Sequence, residues 1–133
     1  MAERFLLDTS AVFSLTDREP GFEQVRSLLH DESAETLVCS LSLMEIYYIA
    51  LQEQGEDAAS SLVASVKVWP VRWVWPTERD LLLAGRFKAF HRLSFADAAI
   101  AAAAANRGAT LVHKDPEFEA LGDELGLLAL PYK

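Results

Sequence analysis

Four carboxylates stand out in this chain by their positions. Asp97 lies near the start of an Ala-rich stretch, Leu93-Ser94-Phe95-Ala96-Asp97-Ala98-Ala99-Ile100-Ala101 and on to Asn106, a composition of high helix propensity. Its same-face neighbours on a helix are Leu93, Ile100 and Ala101, so the charge shares a face fit for burial. Glu45 is placed in the same way, with Leu41, Tyr48 and Ile49 at helical spacing around it. Asp8 follows the apolar run Arg4-Phe5-Leu6-Leu7, and Asp115 follows Ala109-Thr110-Leu111-Val112-His113. Carboxylates are rarely buried without a partner or a metal. If all four converge, each raises the pKa of the others, and a divalent cation relieves that cost. An all-oxygen set with neither Cys nor paired His favours Mg²⁺, with Mn²⁺ as substitute, over zinc. Such ions activate a bound water and neutralise the oxygens of a phosphodiester, so the chemistry in view is hydrolysis of that bond.

Each position also has a structural explanation. Ser94 and Asp97 have capping-box spacing, although Glu or Gln is usual at the third position. Asp8 and Asp115 suit helix N-caps, the latter ahead of Pro116, which fits a first helical position. Glu45 has no such excuse; its alternative is a hydrogen bond to a Tyr hydroxyl or an ion pair with a surface base.

The intervening elements decide whether the four can meet. Strands are expected over 4–7, 36–39, 68–75, 109–113 and 127–130, the third held to an edge or to residues beyond Pro70. Helices are expected over 11–15, 22–29, 41–51, ended by Gly55, then 56–66, an α-helix from Thr77 through Arg92, and the Ala-rich helix, stopped by Gly108. Thr77 and Asp80 form a second capping-box-like start. The alternation implies a three-layer α/β/α sandwich around a parallel sheet of about four or five strands. In such a sheet the carboxyl ends of the strands share one edge, where sites are built. Asp8 and Asp115 fall on that edge, and the first turns carrying Glu45 and Asp97 lean over it.

The whole chain narrows the options further. With 133 residues, 51% apolar and 24% charged, it fits a single domain, 1–133, with one sizeable core. A formal charge of −8 argues against a broad nucleic-acid-binding surface. It leaves room for a local basic patch, and Arg86, Lys88 and Arg92 form the densest one. The lone Cys39 excludes an internal disulfide and a Cys zinc cluster and suits a small core residue at a strand end. No apolar run reaches the roughly 18 residues needed to span a bilayer, and the N-terminus lacks the layout of a signal peptide, so a cytoplasmic location is expected. The Trp69, Trp73 and Trp75 cluster reads as packing area.

Four segments, taken in order, carry a resemblance: Leu6-Leu7-Asp8-Thr9-Ser10-Ala11, Ser42-Leu43-Met44-Glu45, Leu93 to Ala101 as written above, and Leu111-Val112-His113-Lys114-Asp115-Pro116-Glu117-Phe118. Together they resemble the PIN-domain family, and within it the VapC toxins of bacterial and archaeal toxin–antitoxin pairs. The resemblance implies a PIN-like fold and a Mg²⁺-dependent endoribonuclease, usually a homodimer, silenced by a cognate antitoxin protein. It makes Asp8, Glu45, Asp97 and Asp115 the acidic, metal-holding quartet, with Thr9 or Ser10 orienting Asp8 or a water. The chain departs from the family at His113, where Thr or Ser is common. The imidazole either substitutes as a donor to the RNA phosphate or belongs to the core.

Other acidic α/β sites fit less well. A receiver domain needs an acceptor Asp at the end of the third strand, where this chain has Trp75-Pro76-Thr77. A haloacid-dehalogenase-type phosphatase needs a second Asp two residues after Asp8, where Ser10 stands. A PIN-like domain serving only as a binding or regulatory partner remains open.

Overall fold

The computed structural model describes residues 2–132. Five strands, β1 (Glu3–Leu7), β2 (Ala34–Cys39), β3 (Arg72–Val74), β4 (Thr110–His113) and β5 (Leu127–Ala129), form one sheet in the order β3-β2-β1-β4-β5. Every pairing is parallel. Six α-helices connect them: α1 (Thr9–Thr16), α2 (Phe22–His30), α3 (Ser40–Gln54), α4 (Glu56–Lys67), α5 (Glu78–Phe90) and α6 (Phe95–Asn106). A 3-10 helix at Pro116–Leu121 links β4 to β5.

The strands are short apolar runs because both faces are covered. Side chains alternate across the sheet. Leu6, Leu37 and Leu111 enter one core with Phe87 of α5, the alanines of α6, Phe118 and Leu121. Leu7, Val38 and Val112 enter the other with Val12 of α1, Val25 of α2, Ile46 of α3 and Val66 of α4. This is the expected three-layer sandwich.

The Ala-rich sequence of α6 has a packing reason. Ala98, Ala99, Ala101, Ala102, Ala103 and Ala104 are all buried. The helix is enclosed between the sheet and α5, where larger side chains would hold it away. At its end Gly108 takes φ +62, a left-handed conformation that costs glycine little. Gly55 closes α3 as expected.

The third strand lies at the sheet edge and begins beyond Pro70, as expected. Residues 68–75 contain all the β-favouring side chains, yet only Arg72–Val74 pairs. Pro70 lacks an N–H for a ladder, and Val68 to Val71 fold back in turns, with Trp69 N–H bonded to Val66 O at 3.1 Å and Val71 N–H to Trp69 O at 2.7 Å. Trp69 and Trp73 pack against the second core, whereas Trp75 is exposed.

Candidate metal and catalytic site

From β1 the chain steps outward to β2 and β3, then returns across to β4 and β5. The reversal falls between β1 and β4, where a crevice opens beyond the carboxyl ends of the strands. Asp8 leaves β1 there, its N–H held by Val112 O of β4 at 2.9 Å. Asp115 leaves β4 on the opposite lip. Helices return antiparallel to the strands, so α6 begins at the same edge and carries Asp97 in its first turn. Helix α3 departs directly from β2 and places Glu45 in its second turn.

Each carboxylate is held differently. Asp8 is 3% exposed. One oxygen, Oδ2, accepts from the N–H and the hydroxyl of Ser10, capping α1. Ser10 Oγ in turn accepts from Lys114 N–H at 3.0 Å, so β4 fixes the rotor that fixes Asp8. The other oxygen, Oδ1, is buried with no hydrogen-bond partner. Such an orphan is costly and calls for an unseen donor or cation.

Glu45 Oε1 lies 2.6 Å from Thr9 Oγ1, which lies 2.8 Å from Ser42 Oγ. Thr9 has one hydroxyl proton, and an ionised carboxylate only accepts. The proton therefore goes to Glu45, and Ser42 donates to Thr9. Thus Thr9 serves Glu45 and Ser10 serves Asp8; the Tyr hydroxyl or surface base expected beside Glu45 is replaced by this pair. Ser42 is fully buried. The helix actually starts at Ser40, which puts Ser42 on the inner face.

Asp97 forms only half of a capping box. Its N–H donates to Ser94 Oγ at 3.1 Å, but its carboxylate does not return to Ser94 N–H. The Thr77/Asp80 pair makes both bonds. The Asp97 carboxylate is thereby left for the crevice. Asp115 Oδ1 caps the 3-10 helix through Glu117 N–H at 2.9 Å.

Asp97 feels the charges of the other three. Burial, followed by the charges of Asp8, Glu45 and Asp115, pushes Asp97 from 3.8 up to about 7. Burial raises Asp8 to about 6, with the Ser10 bonds pulling down and the Glu45 charge pushing up. This is the signature of like charges held together out of water. Among the described residues, no three His, Cys, Asp or Glu side chains already stand close enough to hold a metal ion. The oxygen donors, the orphaned Oδ1 and the mutual repulsion fit a hard divalent cation that draws the carboxylates in.

Residues 5–124 match the PIN domain family. The chain belongs to the PIN-domain family. No curated protein sequence matches it significantly. Among solved structures, this PIN domain is similar to VapBC2 from Rickettsia felis bound to a promoter DNA fragment (TM-score 0.78, 16% identity, 96% of this chain and 99% of the other). It is similar to DNA-bound VapBC from Salmonella typhimurium (TM-score 0.77, 19% identity, 97% and 98%). It also resembles VapC20 of Mycobacterium tuberculosis, a sarcin–ricin-loop-cleaving toxin (TM-score 0.72, 21% identity, 89% and 95%). At these identities the likeness establishes the shared fold.

The remaining expected residues of this PIN domain do not gather at the carboxylates. His113 is fully buried, its ring edge-on to Phe118 with centroids 5.2 Å apart. Its Nδ1 accepts from Asp115 N–H at 3.1 Å, and its Nε2 meets no partner. Burial holds its pKa below 6.5. A side chain with no exposed surface offers nothing to a phosphate, so His113 acts as a core residue that shapes the Asp115 turn. Arg86 lies over the Phe90 ring on α5, 6.0 Å from its centroid. Lys88 donates to Leu93 O at 2.6 Å and sits 5.6 Å from the centroid of the Phe95 ring. Arg92 is exposed beside a shallow recess formed with Pro116 and Glu117.

Proposed function

We propose that the chain is a Mg²⁺-dependent endoribonuclease, the toxin of a toxin–antitoxin pair, hydrolysing RNA phosphodiester bonds. One observation carries this reading: the charges of Asp8, Glu45 and Asp115, from three other segments, all reach Asp97, and a buried Asp8 oxygen is left unpaired. In this reading Asp8, Asp97, Glu45 and Asp115 hold the cation. When bound, it lowers the pKa of a water and neutralises the phosphate oxygens. The protein's part is orientation. Ser10, locked by Lys114 N–H, aims Asp8; Thr9, backed by Ser42, aims Glu45; and the free carboxylate of Asp97 closes the set. Asp97 must lose its proton for a cation to bind.

The structural neighbours support the biological setting. Two are VapBC toxin–antitoxin structures on DNA, and one is a toxin that cleaves an RNA loop. A cognate antitoxin protein and a cytoplasmic RNA substrate follow by analogy. So does a homodimer, for which the exposed Met44, Tyr47, Tyr48 and Leu51 of α3, with Leu81 and Leu82 of α5, offer an apolar face. No helix is long and apolar enough to cross a membrane among the described residues.

A second reading has one observation in its favour. Among the described residues no three metal-ligating side chains are preassembled, which favours a domain that binds partners without turnover. Incubating a mixed RNA pool with Mg²⁺, with Mn²⁺ and with EDTA separates the two. The nuclease reading expects cleavage with either metal, none with EDTA, and none by Asp8→Asn. Equal products from wild type and Asp8→Asn would show a contaminant and remove the nuclease assignment. A folded protein inert in every condition would leave the binding role.

A further inference from the structure

Beside Ser10 opens a cleft of about 480 Å³, lined by Asp17, Glu19 and Glu53, with Lys114 as its only cation among the described residues. The Lys114 side chain is 9% exposed, and lysine is rarely so buried unless paired. Its Nζ donates to Glu19 Oε1 and Pro20 O, each 3.3 Å away. Both acceptors belong to the loop between α1 and α2. Stability alone does not explain this pairing, because Glu19 is 41% exposed and ion pairs open to water contribute little. What the two bonds do is fix where Lys114 stands.

The loop is a firm anchor. Arg18 holds φ +52, a left-handed conformation uncommon outside glycine, which persists where neighbouring contacts over-determine it. Glu19 N–H donates to Ser14 O at 2.8 Å, and Phe22 N–H donates to Glu19 O at 3.0 Å. Gly21, at φ +96, packs so closely on the last residues of the fold that a Cβ would stand 2.9 Å from Pro131 Cδ. The main-chain N–H of Lys114 points the other way and donates to Ser10 Oγ at 3.0 Å. That hydroxyl has its one proton for Asp8 Oδ2, the partner of the orphaned Oδ1. Asp115 is the next residue along the chain. One lysine thus joins the α1–α2 loop to two of the four carboxylates.

We propose that Lys114 is a positioning residue of the metal site: clamped to the α1–α2 loop, it holds Ser10 on Asp8 Oδ2 and sets where Asp115 stands. This role rests on the nuclease reading, in which those carboxylates hold a cation. Lys114 touches neither cation nor RNA and acts through Ser10 and the backbone. Its positioning effect and its charge have opposite signs. A positive charge near a divalent cation repels it, so neutralising Lys114 tightens the cation if charge is all that matters. Releasing the clamp weakens the cation, because groups that orient a metal's ligands typically account for roughly ten- to a hundredfold of its affinity.

The test titrates Mn²⁺ into the full chain without RNA, at a pH above the Asp97 value of about 7, and reads free Mn²⁺ by electron paramagnetic resonance. Lys114→Met, which keeps the apolar stem and loses the donors, weakens binding roughly tenfold, while Lys114→Arg, still able to reach the loop, stays within about threefold of wild type. Hydrogen exchange followed by NMR in the metal-free protein is the second readout. Protection of the residue-114 amide falls about tenfold in Lys114→Met and holds in Lys114→Arg, while the Leu111 and Val112 amides of β4 keep theirs in both. Should Lys114→Met not fold, Lys114→Gln, too short to reach the loop, takes its place and must show both losses. Unchanged or tighter Mn²⁺ binding in the folded variant overturns the positioning role and leaves the nuclease reading standing. So does an equal loss of protection throughout β4, which marks a lysine that supports the strand as a whole. If the wild-type chain binds no Mn²⁺, the metal-dependent reading falls and takes the role of Lys114 with it.

Discussion

Asp8 is the residue at which stability and function oppose each other. Its pKa of about 6 exceeds the ordinary 3.8 because burial disfavours the charge. Folding therefore favours the protonated form. Its contribution is favourable below about pH 4 and is lost as the pH rises through 6; Asp97 extends the loss to about 7. Two units at a buried group correspond to about 2–3 kcal/mol at neutral pH. In the metal-free protein Asp8→Asn should raise the thermal midpoint at pH 7.5 by roughly 5–10 °C and do little at pH 4. Saturating Mg²⁺ should stabilise the wild type more than Asp8→Asn, which keeps three of the four carboxylates, and less at pH 6 than at pH 8 as Asp97 protonates. Calorimetry across that range decides: a variant less stable than wild type at every pH would mean that the Asp8 charge is already compensated. The positions of Asp8, Asp97 and Asp115 were legible in the sequence, because strand ends and the first turn of α6 fall in a fixed register with the sheet edge; Glu45, in the second turn of α3, stood out by its apolar neighbours. The groups that support these carboxylates were not legible. Whether Thr9 or Ser10 turns toward Asp8 depends on how the chain leaves β1, and Ser42 shows itself only once α3 is packed beside α1.

At the scale of elements, α5 and α6 are joined at the end away from the crevice by a polar knot. Asp80 is almost fully buried and completes the Thr77 capping box. It also accepts from Asn106 Nδ2 at 2.8 Å and from Arg107 at 3.0 Å. Burial alone would push its carboxyl up, but the bonds from Asn106, the Thr77 backbone and Arg107 outweigh it and hold the pKa below 3.8. Asp80→Ala strips the cap and leaves a half-buried guanidinium unpaired, so a loss of about 2–4 kcal/mol is expected. Denaturant titration checks the loss, and metal-dependent RNA cleavage below the new midpoint should survive because the carboxylates are carried elsewhere. A cost under about 0.5 kcal/mol would mean that Arg107 and Asn106 re-pair with water. The capping box was readable from Thr77-x-x-Asp80, but the link to Asn106 and Arg107 was not, since local spacing says nothing about contacts between helices. The same limit explains β3: its side chains favour a strand, but how much of it pairs is set by Pro70 and by the length of β2 beside it.

The whole molecule carries a charge of −8 and proposes to bind a polyanion. Its cations near the crevice are few. Lys88 and Arg92 flank the α5–α6 junction, Arg86 lies farther along α5, and Lys114 is neutralised by Glu19. The rest of the surface repels RNA that comes within a Debye length, about 10 Å in 0.1 M salt. Affinity must then come from the bound cation and from non-ionic contacts more than from counterion release. Each phosphate neutralised on a single strand contributes about −0.7 to the slope of log K against log salt. Two or three side-chain contacts give a slope of about −1.5 to −2, far shallower than a basic RNA-binding surface shows. Potassium chloride titration of RNA binding by the Asp8→Asn protein at constant Mg²⁺ measures this slope. A value steeper than about −4 would demand more phosphate contacts than this face can supply, and the strand would have to run across Arg4, Arg72 and Arg107 on the opposite side of the sheet edge. A shallow slope that loses about one contact's worth in Lys88→Gln would place the RNA over the α5–α6 junction. There a chain this acidic can hold a few chosen nucleotides while repelling nucleic acid in general.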